Sequence, residues 1–113
     1  MKVLVLDDGR KQATPISDAF FKKRIDAIVC VTSNDFMTAL NTSDFDKMFI
    51  NAETWNRGRC IYDYFGAGPR LEGKPAVFYN ADERFANIAN RKPHENDRVF
   101  PQPSDIEAAM AAM

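Results

Sequence analysis

Short, near-continuous apolar runs alternate along this chain with helix-compatible segments, and few folds satisfy that alternation. The runs are Lys2 to Leu6, Ala27 to Val31, Lys47 to Ile50, Ala76 to Tyr79, and the pair Val99-Phe100. A strand that is apolar at consecutive positions must be buried on both faces, and strands separated by helical crossovers pair in parallel. The expectation is a (βα)5 α/β unit: one domain over residues 1–113, without repeats or low-complexity stretches.

The intervening segments carry helix signals. Thr14 and Pro15 suit the cap and first position of a helix running to Lys23, with Ile16, Ala19 and Phe20 at helical spacing and basic residues at its end. Ser33 or Asn34 is expected to cap a helix through Leu40. A further helix is expected over Arg57 to Phe65, ending at Gly66-Ala67-Gly68-Pro69. Those glycines follow a helix instead of opening one, so they read as termination and not as a phosphate cradle. Asp82 opens a predicted helix to about Ala89, and Ser104 with Glu107 forms a capping-box pattern for the last helix, to Met113.

Composition excludes several classes. The 113 residues are 45% hydrophobic and 27% charged, with net charge −1 and no clustering of Lys and Arg, so no nucleic-acid footprint is present. No apolar run approaches the roughly 20 residues that span a bilayer, and a start directly on a strand gives no expectation of a signal peptide. Cys30 in a strand and Cys60 on a predicted helix read as buried free thiols, which suit a reducing cytoplasm. His94 lies in the polar loop Lys92 to Asp97, with no Ser or Cys partner in view, and reads as a solvated loop residue.

Chemistry in open parallel sheets gathers beyond the carboxyl ends of the strands. Asp7-Asp8 ends the first strand and Asn51 follows the third. These ends belong to one site, in which an amide stands where a second acidic contribution would be expected.

At this point the chain resembles the receiver domain of bacterial two-component response regulators along essentially its whole length. Asp7-Asp8 corresponds to the family's acidic pair and Asn51 to its phosphoacceptor aspartate. In Pro75-Ala76-Val77-Phe78-Tyr79-Asn80-Ala81, Asn80 takes the place of a Thr or Ser; in Val99-Phe100-Pro101-Gln102-Pro103, Gln102 takes the place of a lysine. The resemblance implies a flavodoxin-like, doubly wound, five-stranded parallel sheet in the order 2-1-3-4-5.

The departures determine the function that is expected. A neutral amide at Asn51 is a far poorer nucleophile than a carboxylate, so the family's acyl-phosphate chemistry should fail and no enzymatic activity is expected. Mg²⁺, which the family binds largely through carboxylates, would be left with Asp7, Asp8 and Glu53, a weakened site; no cofactor is expected. Gln102 lacks the lysine's charge, Val99 lacks the aromatic ring of the family's switch position, and Trp55 stands where the family often has Pro. Asp46 begins its strand and Asp63 falls in a predicted helix, so neither is a good substitute acceptor. Asn51, Asn80 and Gln102 are expected to form a hydrogen-bonded amide cluster beside Asp7 and Asp8.

The resulting expectation is a pseudo-receiver: a cytoplasmic, phosphorylation-independent interaction module in signalling. Its partner face would follow the family's fourth helix, fifth strand and last helix, with Arg84, Asn87, Val99, Phe100 and Glu107 on it, and would take a protein partner or a second copy of the chain. Neither nucleic acid nor membrane is an expected partner. The alternative is a small flavodoxin-like domain binding a metal or planar ligand at Asp7 and Asp8, with Trp55 or Tyr79 as its cover.

Overall fold

The computed structural model describes residues 1–9, 13–58, 70–83, 85 and 91–113, with the backbone alone at 13–15. In chain order the elements are β1 (Lys2–Leu6), α1 (Ala13–Lys22), β2 (Asp26–Cys30), α2 (Ser33–Thr42), β3 (Lys47–Asn51), α3 (Ala52–Arg57), β4 (Ala76–Ala81), β5 (Arg98–Pro101) and α4 (Ile106–Ala111). All strand pairings are parallel, and the five-stranded sheet runs β2-β1-β3-β4-β5. This is the flavodoxin-like order implied by the resemblance. The expected helix beyond Arg57, Gly66-Ala67-Gly68, Cys60, Asp63, and most of the helix from Asp82 with Arg84 and Asn87 lie outside the described residues.

Burial follows strand position. In the central strands β1, β3 and β4 every residue after the first of β1 and β3, and all of β4, is buried, whereas the edge strand β2 is largely part-exposed and β5 largely exposed. Alternation then splits the core in two. Leu4, Leu6, Met48, Ile50, Ala76 and Phe78 face Phe36, Met37 and Trp55 of α2 and α3. Val3, Val5, Phe49, Val77 and Tyr79 face Ile16 and Phe20 of α1 and Ala109 and Met110 of α4. Phe20 meets Phe49 edge-on at 5.3 Å between ring centroids, a favoured aromatic geometry. Cys30 is buried and unpaired, and burial, helped by the charge of Asp35, pushes its thiol up to about 11.

Several boundaries differ from expectation for local reasons. Thr32, not Ser33 or Asn34, caps α2 through Asp35 N–H. A helix absent from the sequence reading, α3, follows β3 immediately, because Asn51 itself is the cap. The capping box at Ser104 does not form: Asp105 caps α4 by accepting from Glu107 N–H, and Ser104 is used elsewhere. Met110 packs into the core, while Glu107 is exposed.

α1 ends with Arg24 in the left-handed region at φ 58. Arg24 N–H bonds to Phe21 C=O and Ile25 N–H to Phe20 C=O, the hydrogen-bond pair of a Schellman motif, at a position that favours glycine. Arg24→Gly should therefore stabilise the fold by about 1 kcal/mol, less the added chain entropy, and urea denaturation will measure it.

Beside β4, Arg91 is only 1% exposed. Its guanidinium donates to both carboxylate oxygens of Asp97 and to the carbonyls of Leu71 and Lys74, and lies over Phe78. Asp97 also accepts from the N–H groups of Ala76 and His94, so one ion pair ties the segments 71–74 and 91–97 to the start of β4. Burial pushes the Asp97 carboxyl up, but the bonds from Arg91, His94 and Ala76 outweigh it and hold the carboxyl below its usual 3.8. A depressed folded-state pKa gives stability that is present above the ordinary carboxylate range and lost as pH falls through the folded value. Asp97→Asn should flatten the acid limb of the stability profile below about pH 4, seen as a urea midpoint that varies less with pH than wild type. Arg91→Met should cost about 3–5 kcal/mol, because it strands a half-buried carboxylate and two carbonyls.

Candidate functional site at the strand ends

Register builds the site. β1 and β3 align Leu6 with Ile50, and β3 and β4 align Asn51 with Tyr79. Asp7, one residue beyond Leu6, thus falls beside Asn51, and Asp7, Asn51 and Tyr79 form a row across three neighbouring strands. The row lies at the carboxyl ends, where the order reverses between β1 and β3, the crevice in which open α/β sheets hold their ligands.

Asp7 is the centre of the row and is 1% exposed. Its Oδ2 accepts from the Tyr79 hydroxyl at 2.7 Å and from Asn51 Nδ2 at 3.2 Å. Its Oδ1 accepts from Gly9 N–H at 2.8 Å, closing a turn in which Gly9 takes φ 81, a conformation that suits glycine. Burial, followed by the charge of Asp7, its hydrogen bond and the charge of Asp8, pushes the Tyr79 hydroxyl far above its ordinary pKa. Tyr79 therefore serves as a hydrogen-bond donor, and its ring lies 4.4 Å from that of Phe49.

Asn51 uses both ends of its amide. Oδ1 accepts from Glu53 N–H at 3.0 Å and caps α3, which fixes the amide orientation and directs Nδ2 to Asp7. An aspartate here could make the cap but not the donor contact.

Asp8 turns to α3. Its N–H donates to Thr54 Oγ1, and its carboxylate accepts from Arg57 Nε at 2.7 Å and forms an ion pair with the Arg57 terminal nitrogen. Arg57 also donates to Thr54 Oγ1 and lies 3.8 Å from Glu53, one helical turn earlier. Helical spacing places Glu53, Thr54 and Arg57 on one side of α3, against the β1 end.

Asn80 and Gln102 lie apart from this network. A β-bulge between Phe78 and Ala81 leaves Asn80 at φ 54, a conformation asparagine tolerates better than most residues. Asn80 N–H donates to Ser104 Oγ at 2.7 Å, and Ser104 N–H donates back to Asn80 Oδ1 at 3.1 Å. The Ser104 hydroxyl in turn donates toward the Pro101 and Phe100 carbonyls. Gln102 is exposed; its N–H reaches Ala81 C=O at 2.9 Å, and its peptide bond to Pro103 is cis. The expected cluster of three amides is thus not formed among the described residues. Asn51 is spent on Asp7 and α3, Asn80 on Ser104, and the Gln102 side chain faces outward.

The remaining candidates are placed as follows. Trp55 is buried edge-on against Phe36, and Tyr79 is fully buried, so neither covers a ligand. Val99 is 54% exposed on β5, whereas Phe100 packs partly into the core on the α1 and α4 side. Asp46 sits just before the amino end of β3, bonded to Lys2 N–H, at the opposite end of the strands from Asp7. The divalent cation of the receiver family does not fit the residues present. A hard cation needs several carboxylate or carbonyl oxygens held open to it. The Asp7 oxygens are taken by Tyr79, Asn51 and Gly9, while Asp8 and Glu53 face a guanidinium; no group of three His, Cys, Asp or Glu converges among the described residues.

No protein-family model matches the sequence, and neither does any curated protein. Solved structures do. The N-terminal domain of a response regulator/sensory box/GGDEF three-domain protein from Carboxydothermus hydrogenoformans superposes with a TM-score of 0.64 at 13% identity, over 99% of this chain and 90% of that one. A fusion carrying the trimeric coiled coil of yeast Spc42 matches with a TM-score of 0.63 at 13% identity, over 99% of this chain and 75% of that one. At such identity the likeness establishes the receiver-type fold. No helix among the described residues is long and apolar enough to cross a membrane.

Sequence reasoning missed Arg57, the hydroxyl of Tyr79 and Ser104. The spacing of Glu53 and Arg57, an acid four residues before a base, was a readable helix signal. Nothing in the sequence announced the reach from Tyr79 to Asp7. Tyr79→Phe should cost about 1.5–3 kcal/mol, the worth of a hydrogen bond to a buried charged group, measured by urea denaturation. Asn51→Asp should destabilise the fold at neutral pH, since a second carboxylate would face Asp7 in place of an amide donor, and urea denaturation will measure the loss.

Proposed function

We propose that this chain is a pseudo-receiver, a cytoplasmic interaction module of the response-regulator type that works without phosphorylation. The observation that carries the reading is Asn51: at the end of β3 its amide is consumed by Asp7 and by the cap of α3. A neutral, doubly bonded amide offers no nucleophile to a phosphoryl group. Gln102, on the exposed β5–α4 connection, brings no cation to the site, and Asn80 is held by Ser104. The groups that would attack and sense a phosphoryl group are thus replaced by hydrogen-bonded amides, and the one that would neutralise it by an exposed neutral side chain.

What the fold then offers is a surface. Val99 and Glu107 are exposed on β5 and α4 and belong to the proposed face for a protein partner or a second copy of the chain; Arg84 and Asn87, expected on the same face, lie outside the described residues. Phe100 packs partly against the core on the α1 and α4 side.

Incubation with a small phosphodonor and Mg²⁺, followed by intact-mass analysis, should give no phosphoryl adduct; a stable single adduct would exclude the reading. On the surface side, Val99→Arg and Glu107→Lys should abolish co-purification with the partner while leaving the melting temperature within a few degrees of wild type. Retention of the partner by both variants would place the contact elsewhere.

A further inference from the structure

At the amino ends of the strands, away from the site at Asp7, the end of α1 presents a surface that the packing of the fold does not use. Phe21 is 83% exposed, more than any other large apolar side chain among the described residues. Lys22, Lys23 and Arg24 follow it, all exposed and without an ion pair among the described residues. We propose that Phe21, Lys22, Lys23 and Arg24 form a docking surface for an acidic segment of a partner protein, one that presents carboxylates around an apolar side chain.

A single exposed apolar side chain is ordinary, and basic residues at a helix carboxyl end complement the helix dipole. Two features go beyond both. Arg24 lies past the helix in the left-handed region, at φ 58, where glycine is favoured. Its side chain is exposed and unpaired, so it gives the fold nothing in return for that conformation. Phe21, in turn, adjoins three positive charges on a chain whose net charge is −1, so the local field is opposite in sign to the whole. The neighbouring carboxylates choose the occupant. Asp18 shares a side of α1 with Phe21 and Lys22, three and four residues on, and Asp26 opens β2 two residues after Arg24; both are exposed. An anionic bilayer that took in Phe21 would press its charge against both acids, whereas an extended acidic segment can pass between them and seat an apolar residue on the ring. Three cations in succession are too few to follow a nucleic-acid backbone.

This surface is separate from the face at Val99 and Glu107 on β5 and α4, and the inference does not rest on that face. The test uses an array of fluorescein-labelled peptides, each with glutamates around one varied apolar residue, read by anisotropy against the whole chain. At least one peptide should bind saturably at low salt and lose affinity as salt rises, because exposed charges are screened. Phe21→Ser and the double variant Lys22→Glu/Lys23→Glu should each weaken binding at least about tenfold, with melting temperatures within a few degrees of wild type. Arg24→Gly should weaken binding while the fold becomes more stable, a pair of effects that a purely structural residue does not give. Val99→Arg should bind the peptide as wild type does, so failure of this surface and failure of the other face are distinguishable. Saturable binding of none of the peptides would overturn the proposal, as would binding that Phe21→Ser and Arg24→Gly leave unchanged. Co-sedimentation with phosphatidylserine vesicles by a wild type that binds no peptide would overturn it in favour of lipid.

Discussion

A carboxylate removed from water must be met by hydrogen-bond donors, and Asp7 imposes that requirement at the point where the sheet changes direction. Taking such a group into the interior costs several kcal/mol unless it is fully bonded. Here the donors come from the next residues of its own loop, from β3 and from β4. Each fixes something else in turn: Gly9 the loop after β1, Asn51 the start of α3, and Tyr79 the aromatic stack on Phe49. The central three strands are therefore joined at their carboxyl ends by polar contacts as well as by the apolar packing beneath them.

A second buried charge works the same way at the other end of β4. Arg91 and Asp97 bond to one another and to backbone groups of Leu71, Lys74, Ala76 and His94. The two networks share a logic: each joins local contacts to groups far apart in sequence, so each is complete only when the sheet is assembled. At the carboxyl ends of the strands further polar side chains are held in the same way. Asp8 pairs with Arg57, Asn80 with Ser104, and none of these contacts requires a phosphoryl group.

Much of this was legible beforehand because strand burial writes itself into composition. The apolar runs located all five strands to within a residue or two, and their helix-length spacing dictated parallel pairing. Asp7, Asp8 and Asn51 were recognisable as strand-end residues for the same reason. Boundaries set by side-chain competition were not legible. Ser104 and Glu107 have a capping-box spacing, but Ser104 meets Asn80 across the β4 bulge, and Asp105 takes the cap instead. The proposed cluster of amides failed on the same point: identity and order suggested proximity, whereas the left-handed backbone at Asn80 turned its side chain away.

By itself, then, the sequence determined the parallel α/β class, the positions of the strands and the absence of a carboxylate at the end of β3, since apolar runs and residue identity are local properties. Only the tertiary structure decided what the polar residues there do. Asn51 bonds to a residue 44 positions away, Tyr79 to one 72 away, and Arg57 to one 49 away. Such pairings depend on the register of strands brought together by folding. No local pattern of residues records a partner whose distance along the chain is set by the crossovers between strands.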